Sequence, residues 1–170
     1  TIKLSIWGTL FAALLGFMVG LCRVSPRLFL RMVGRTYVES IRNTPPLVLV
    51  FIFYYFISDQ LLALASVEEL ARAATGTGRA LLAFFFAEPN LINQFFSGVL
   101  TLALFQGAYI AEIVRAGIQA IDTGQWEAGR SLGLTTPRLL RQIILPQAIR
   151  IMLPPLAGEF INTIKWSSIV

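Results

Sequence analysis

The chain has 170 residues, of which 56% are hydrophobic and only 14% charged, and its formal net charge is +5. A soluble domain carries roughly 25% charged residues, so this composition excludes an ordinary water-soluble globule and points to one domain whose surface is solvated by lipid. The absence of histidine and the single cysteine, Cys22, exclude a histidine-based triad, a histidine-ligated metal site and an internal disulfide.

The first apolar run, about residues 4–21, has the length of a membrane span. No A-x-A-like cleavage pattern follows it, so it reads as a retained span rather than a leader. Gly16 and Gly20 within it form a small-xxx-small pair, read as helix packing. A second span is expected over about 45–64, with Thr44 as N-cap and Pro45-Pro46 in its first turn. The acidic stretch 59–90 follows. Within it Val67–Ala74 is a short helix candidate capped by Ser66, and Leu81–Ala87 is too short to span and reads as an interfacial or re-entrant piece. A third span is expected over about 91–114 and a fourth over about 149–165, the last interrupted by Glu159, Asn162 and Lys165. Tyr54 and Tyr55 read as interfacial or packing residues.

Arg23, Arg27, Arg31, Arg35 and Arg42 lie between spans one and two, and Arg115, Arg130, Arg138, Arg141 and Arg150 lie around the segment between spans three and four. Positive residues favour the cytoplasmic side, so both stretches are read as cytoplasmic loops, which places the N-terminus and the 59–90 stretch outside. The same distribution makes the basic charge a membrane-orientation signal rather than a nucleic-acid surface.

The segment of about 116–146 is the most informative. Asp122 or Thr123 suits the cap of a helix starting near Gly124, with Glu127 in its first turn, where a negative charge meets the positive helix end. Ala128 and Gly129 are small enough for close approach to another surface, and Gly133 suits the left-handed residue that ends a helix. A second short helix follows, with Thr136 as N-cap and Pro137 at its first position, and a kink or break is expected at Pro146. Spacing alone leaves two readings open: a surface linker between two spans, or a docking helix that transmits motion from a soluble partner.

Glu127-Ala128-Gly129, then Gly133, then Ile143-Ile144-Leu145-Pro146 resembles the EAA loop of ABC importer permeases. Gly129 stands where that loop has alanine. Arg42-Asn43-Thr44-Pro45, Ala108–Ile118, Gly124-Gln125-Trp126-Glu127-Ala128 and Leu153-Pro154-Pro155-Leu156 are similar to elements of the polar amino-acid uptake subfamily, so the resemblance covers about residues 36–56 and 98–170. It departs at Trp166, where the family often has an acidic or small polar residue, and a further membrane helix usual in the family is missing, so trimming at both ends is expected.

The resemblance implies an all-α, polytopic transmembrane bundle of the type I, MetI-like kind in a bacterial inner membrane, with a cytoplasmic coupling helix. Its implied partners are a cytoplasmic ABC ATPase that binds ATP-Mg, an extracytoplasmic amino-acid-binding protein and a second permease subunit, alike or different. The chain itself would hold no cofactor, bind no nucleic acid and catalyse no covalent step. Gln125, Trp126, Glu127, Ala128, Gly129, Gly133 and Leu134 are the coupling candidates.

Polar residues inside a span are functional candidates by default. Glu159 lies about 18 Å beyond Gln147 at helical rise, Asn162 shares its face, and Lys165 is the next turn. Together they offer a zwitterionic amino acid both acceptors and donors; the plainer alternative is that they satisfy one another or a neighbouring subunit. Gln106 and Tyr109 are mid-helix candidates for the path, whereas Glu112 and Arg115 read as a surface ion pair or gate element. The competing function is a secondary transporter or channel without an ATPase.

Overall fold

In the computed structural model, residues 1–58, 60, 83–88 and 91–168 are described, and among them the regular structure is entirely helical. The chain runs α1 (Ile2–Val24), α2 (Leu28–Arg42), α3 (Pro46–Phe51) continuing into a π-helical stretch (Ile52–Ser58), α4 (Ile92–Gln119), α5 (Thr123–Ser131), α6 (Thr136–Leu139) continuing into a second π-helical stretch (Leu140–Ile144), and α7 (Leu145–Trp166). The expected helix at Val67–Ala74 lies outside the described residues, as does the start of the expected piece at Leu81–Ala87.

α1 and α4 are long and apolar enough to cross a membrane. They run side by side in the same direction. The buried residues of α1 include Gly8, Ala12, Gly16 and Gly20, one per turn, which puts a smooth stripe on one face. A Cβ on Gly16 would sit 2.6 Å from Ile110 Cβ and 2.8 Å from the Gly107 carbonyl oxygen, and one on Gly20 would sit 2.6 Å from Val114 Cβ. The two glycines are therefore packing residues that let the helices approach through small side chains.

α7 runs back antiparallel to α4. Met152 fills the space above Gly117 at one end, and Trp166 packs edge-on against Phe105 at the other, with ring centroids 5.1 Å apart. Trp166 therefore sits against α4 as a packing residue. Lys3 Nζ donates to the Ala83 carbonyl at 2.7 Å, and Trp7 Nε1 donates to Phe85 at 3.0 Å, which seats residues 83–88 on the N-terminal end of α1.

Several local expectations change. The arginine-rich stretch after α1 is a helix, α2, rather than a loop; Gly34, Val38 and Ile41 form its buried face. Thr44 does not cap α3. Its hydroxyl donates to the Ser40 carbonyl at 2.7 Å and closes the end of α2, while Pro45 holds the cap position of α3. α4 continues past Val114 to Gln119, and α7 begins at Leu145 rather than near Ile149. The N-cap of α6 is Thr135, one residue before the expected Thr136. The irregularity expected at Pro146 takes the form of the π-helical stretch Leu140–Ile144 that runs up to it, after which regular α-helix starts at Leu145 with Pro146 in its first turn.

Candidate functional site

α5 is a short helix held rigidly at both ends. Asp122 is its N-cap and accepts the Gly124 N–H at 2.7 Å. Glu127 lies just beyond the first turn, which holds no acidic residue, so the expected dipole contact is weaker than its place in the motif suggested. At the far end Gly133 has φ +74°. Its N–H donates to Arg130 O at 2.9 Å and the Leu134 N–H donates to Gly129 O at 3.1 Å. These are the paired bonds of a Schellman cap, which needs a left-handed residue that glycine adopts without strain.

The helix has two faces. Trp126 and Leu134 pack against a core containing Ile118, Ile121, Leu139, Ile144 and Met152. Gly129 is buried on the same side, and a Cβ there would collide with Leu139. Gly129 thus serves close approach to the chain's own α6, not to an outside surface, and this explains glycine where the EAA pattern has alanine. Gln125, Glu127, Ala128 and Gly133 are exposed. Leu132, absent from the sequence candidates, is 78% exposed at the helix end; its only sequence signal is an apolar residue between Ser131 and Gly133 with no helical partner. Gln147 Nε2 donates to Gln125 Oε1 at 3.3 Å, tying α5 to the start of α7.

Where α1, α2 and α4 meet, the structure gathers a charge cluster that sequence spacing shows only in part. Glu112 of α4 pairs with Arg115 of its own helix, with Arg23 of α1, and with Arg42 of α2 at 3.7 Å. The cluster therefore joins three helices, rather than being a lone surface pair. Arg115 also donates to Gln119 Oε1. The Arg42 guanidinium lies 5.8 Å from the centre of the Tyr109 ring, a cation–π contact.

Arg42, Tyr109 and Glu112 line a cavity of about 410 Å³ that reaches Gly117, Pro155 and Glu159. Of the five expected pathway residues, Tyr109 and Glu159 face it, and Asn162 has its amide against the Glu159 carboxylate. Gln106 does not line it. Gln106 is buried and donates to Thr163 Oγ1 at 3.1 Å and Glu159 O at 3.5 Å, while Thr163 donates to Glu159 O at 2.9 Å. It works as a clamp between α4 and α7, its polar group satisfied inside the chain. Lys165 is exposed and lies outside the cavity lining.

A helical bundle with two helices of membrane-spanning character, a cavity between α4 and α7 into which Arg42, Glu112 and Glu159 bring charge, and a capped surface helix at the arginine-rich end defines a polytopic membrane domain of the permease class. Residues 12–170 match the binding-protein-dependent transport system inner membrane component family, and the chain belongs to it. It is 37% identical over 171 residues to the glutamate/aspartate import permease protein of Escherichia coli (strain K12), covering 99% of this chain and 63% of that protein. It is 36% identical over 169 residues to the L-cystine transport system permease protein of Bacillus subtilis (strain 168), covering 99% of this chain and 60% of that protein. A solved amino acid ABC transporter, crystallised with histidines, superposes with a TM-score of 0.69 at 36% identity, over 98% of this chain and 65% of that one. The chain thus spans about three fifths of the length of these relatives.

Proposed function

We propose that the chain is the transmembrane permease subunit of an ATP-driven importer that carries an amino acid into the cytoplasm. The spans would lie over about 4–21, 45–64, 91–114 and 149–165. α5 is the coupling helix. A cytoplasmic ABC ATPase, which binds ATP and Mg²⁺, docks against its exposed Gln125, Glu127, Ala128 and Leu132. An amino-acid-binding protein delivers substrate from outside, and a second permease subunit completes the path. The chain itself catalyses no covalent step.

The observation that carries this reading is the division of α5 into an exposed face and a face locked into the core at Trp126, Gly129 and Leu134. A push on the exposed face moves α6 and the start of α7, and α7 carries Glu159 into the cavity. Mechanically, the domain is a bistable element whose partners bias one of two openings. The glutamate/aspartate, cystine and histidine names of the relatives support amino acids as the substrate class.

Purified complex in proteoliposomes tests the proposal. Uptake of a labelled amino acid should require ATP inside, stop with vanadate, and require the binding protein. Uptake that persists without ATP or an ATPase would instead assign the chain to a secondary transporter or channel.

A further inference from the structure

We propose that a second pocket, between α1, α2, α4 and α5, binds the headgroup of an anionic phospholipid. It measures about 410 Å³, and Arg23, Arg31 and Arg130 converge on it together with Ser25, Thr123 and Trp126. No carboxylate is among its lining residues. Arg23 is shared with Glu112, but Arg31 and Arg130 have no ion-pair partner among the described residues. Ser25 Oγ accepts the Arg27 N–H at 3.2 Å, which leaves its hydroxyl proton free to donate. Guanidinium groups present paired donors that match phosphate oxygens, so the pocket is built for a phosphate.

The surroundings select a lipid phosphate over a free one. α2 exposes Leu28 (61%), Phe29 (75%), Met32 (57%) and Val33 (55%) on the same two turns as Arg31. An apolar face flanked by arginines is the pattern of a helix lying in the membrane interface. The pocket sits at the arginine-rich ends of the two helices long enough to cross a membrane, the depth of headgroups. Basic pockets between helices at that depth hold anionic headgroups, while acyl chains run along the apolar wall. A free phosphate would gain nothing from Phe29 or Met32. One bound lipid would bridge Arg31 of α2 and Arg130 of α5, and so steady α5 against the membrane surface; this holds whether or not α5 docks an ATPase.

The test uses the full chain purified in detergent, titrated with phosphatidylglycerol or phosphatidylcholine and observed by native mass spectrometry. The expected result is retention of phosphatidylglycerol about ten-fold above phosphatidylcholine, undiminished by millimolar inorganic phosphate. Arg31→Gln combined with Arg130→Gln should remove most of that preference. Arg138→Gln combined with Arg141→Gln, at the same basic end but outside the pocket, should keep it. Equal retention of the two lipids, displacement by inorganic phosphate, or an unchanged preference in the Arg31→Gln/Arg130→Gln protein overturns the proposal. A second measurement needs no variant: phosphatidylglycerol with a photoreactive acyl chain should label the peptide containing residues 28–33. Labelling confined to α1 or α7 overturns the proposal, as does loss of labelling when the ATPase is added, which would give the pocket to acidic groups of a protein partner.

Discussion

The two faces of α4 differ in kind. Toward α1 the helix is sealed: Gly16 and Gly20 bring the α1 backbone down onto Ile110, Val114 and the carbonyls of Gly107 and Ala111. Toward α7 it is closed at one end by Met152 over Gly117 and at the other by Gln106 and by Phe105 against Trp166, and between these Tyr109, Glu112 and Glu159 face an open cavity. The same helix thus joins a fixed pair, α1–α4, to a partner that touches it at a few points. Motion is easier along the second face, where little packing must be broken to change the gap.

Substitutions can break or sharpen this contrast. The largest effect is expected at the sealed face. Gly16→Leu forces side-chain atoms into a backbone carbonyl and should cost about 3 kcal/mol or abolish folding, read as the unfolding midpoint in detergent. Gly8→Ala, whose Cβ meets only the Leu102 side chain at 3.0 Å, should be far milder. A Gly16→Leu protein as stable as the parent would show that the seam is not tight.

Next comes Glu112→Gln, which leaves three arginines facing one another. The group is partly exposed, so the loss lies between that of a buried and a surface pair, about 2 kcal/mol, with loss of uptake. Gly133→Ala puts a Cβ into left-handed backbone and should cost about 1–2 kcal/mol. Its distinguishing effect is functional: ATP hydrolysis by the complex continues while uptake per ATP falls. Gln106→Leu should cost about 1 kcal/mol and leave the KM for uptake unchanged, because Gln106 does not reach the cavity. Glu159→Gln should shift stability by less than about 0.5 kcal/mol yet change the KM. A KM change in Gln106→Leu without one in Glu159→Gln would reverse the assignment of clamp and path.

The parts of this architecture readable from sequence are those written in local pattern. Apolar runs marked α1, α4 and α7, and the glycine at position 133 marked the end of α5 because one backbone conformation demands it. The parts that were not readable depend on distance in space. Arg23 and Glu112 are 89 positions apart, and nothing in either segment shows that α1 and α4 meet in register. α2 was hidden because its arginines read as a loop, although Gly34, Val38 and Ile41 already had helical spacing. Gly129 was read outward because a small residue tolerates any neighbour; only Leu139 shows which neighbour it has. Gln106 looked like a path residue because polarity inside a span is costly, and the cost is met by Thr163 on α7.

The central claim, that the exposed face of α5 lies in the cytoplasm and is covered by an ATPase, has a direct test. In a Cys22→Ala background, Leu132→Cys introduces one thiol for a membrane-impermeant maleimide. Labelling should occur in inside-out but not right-side-out vesicles, and bound ATPase should protect against it. Labelling from the outer side, or labelling that the ATPase leaves unchanged, would contradict the account.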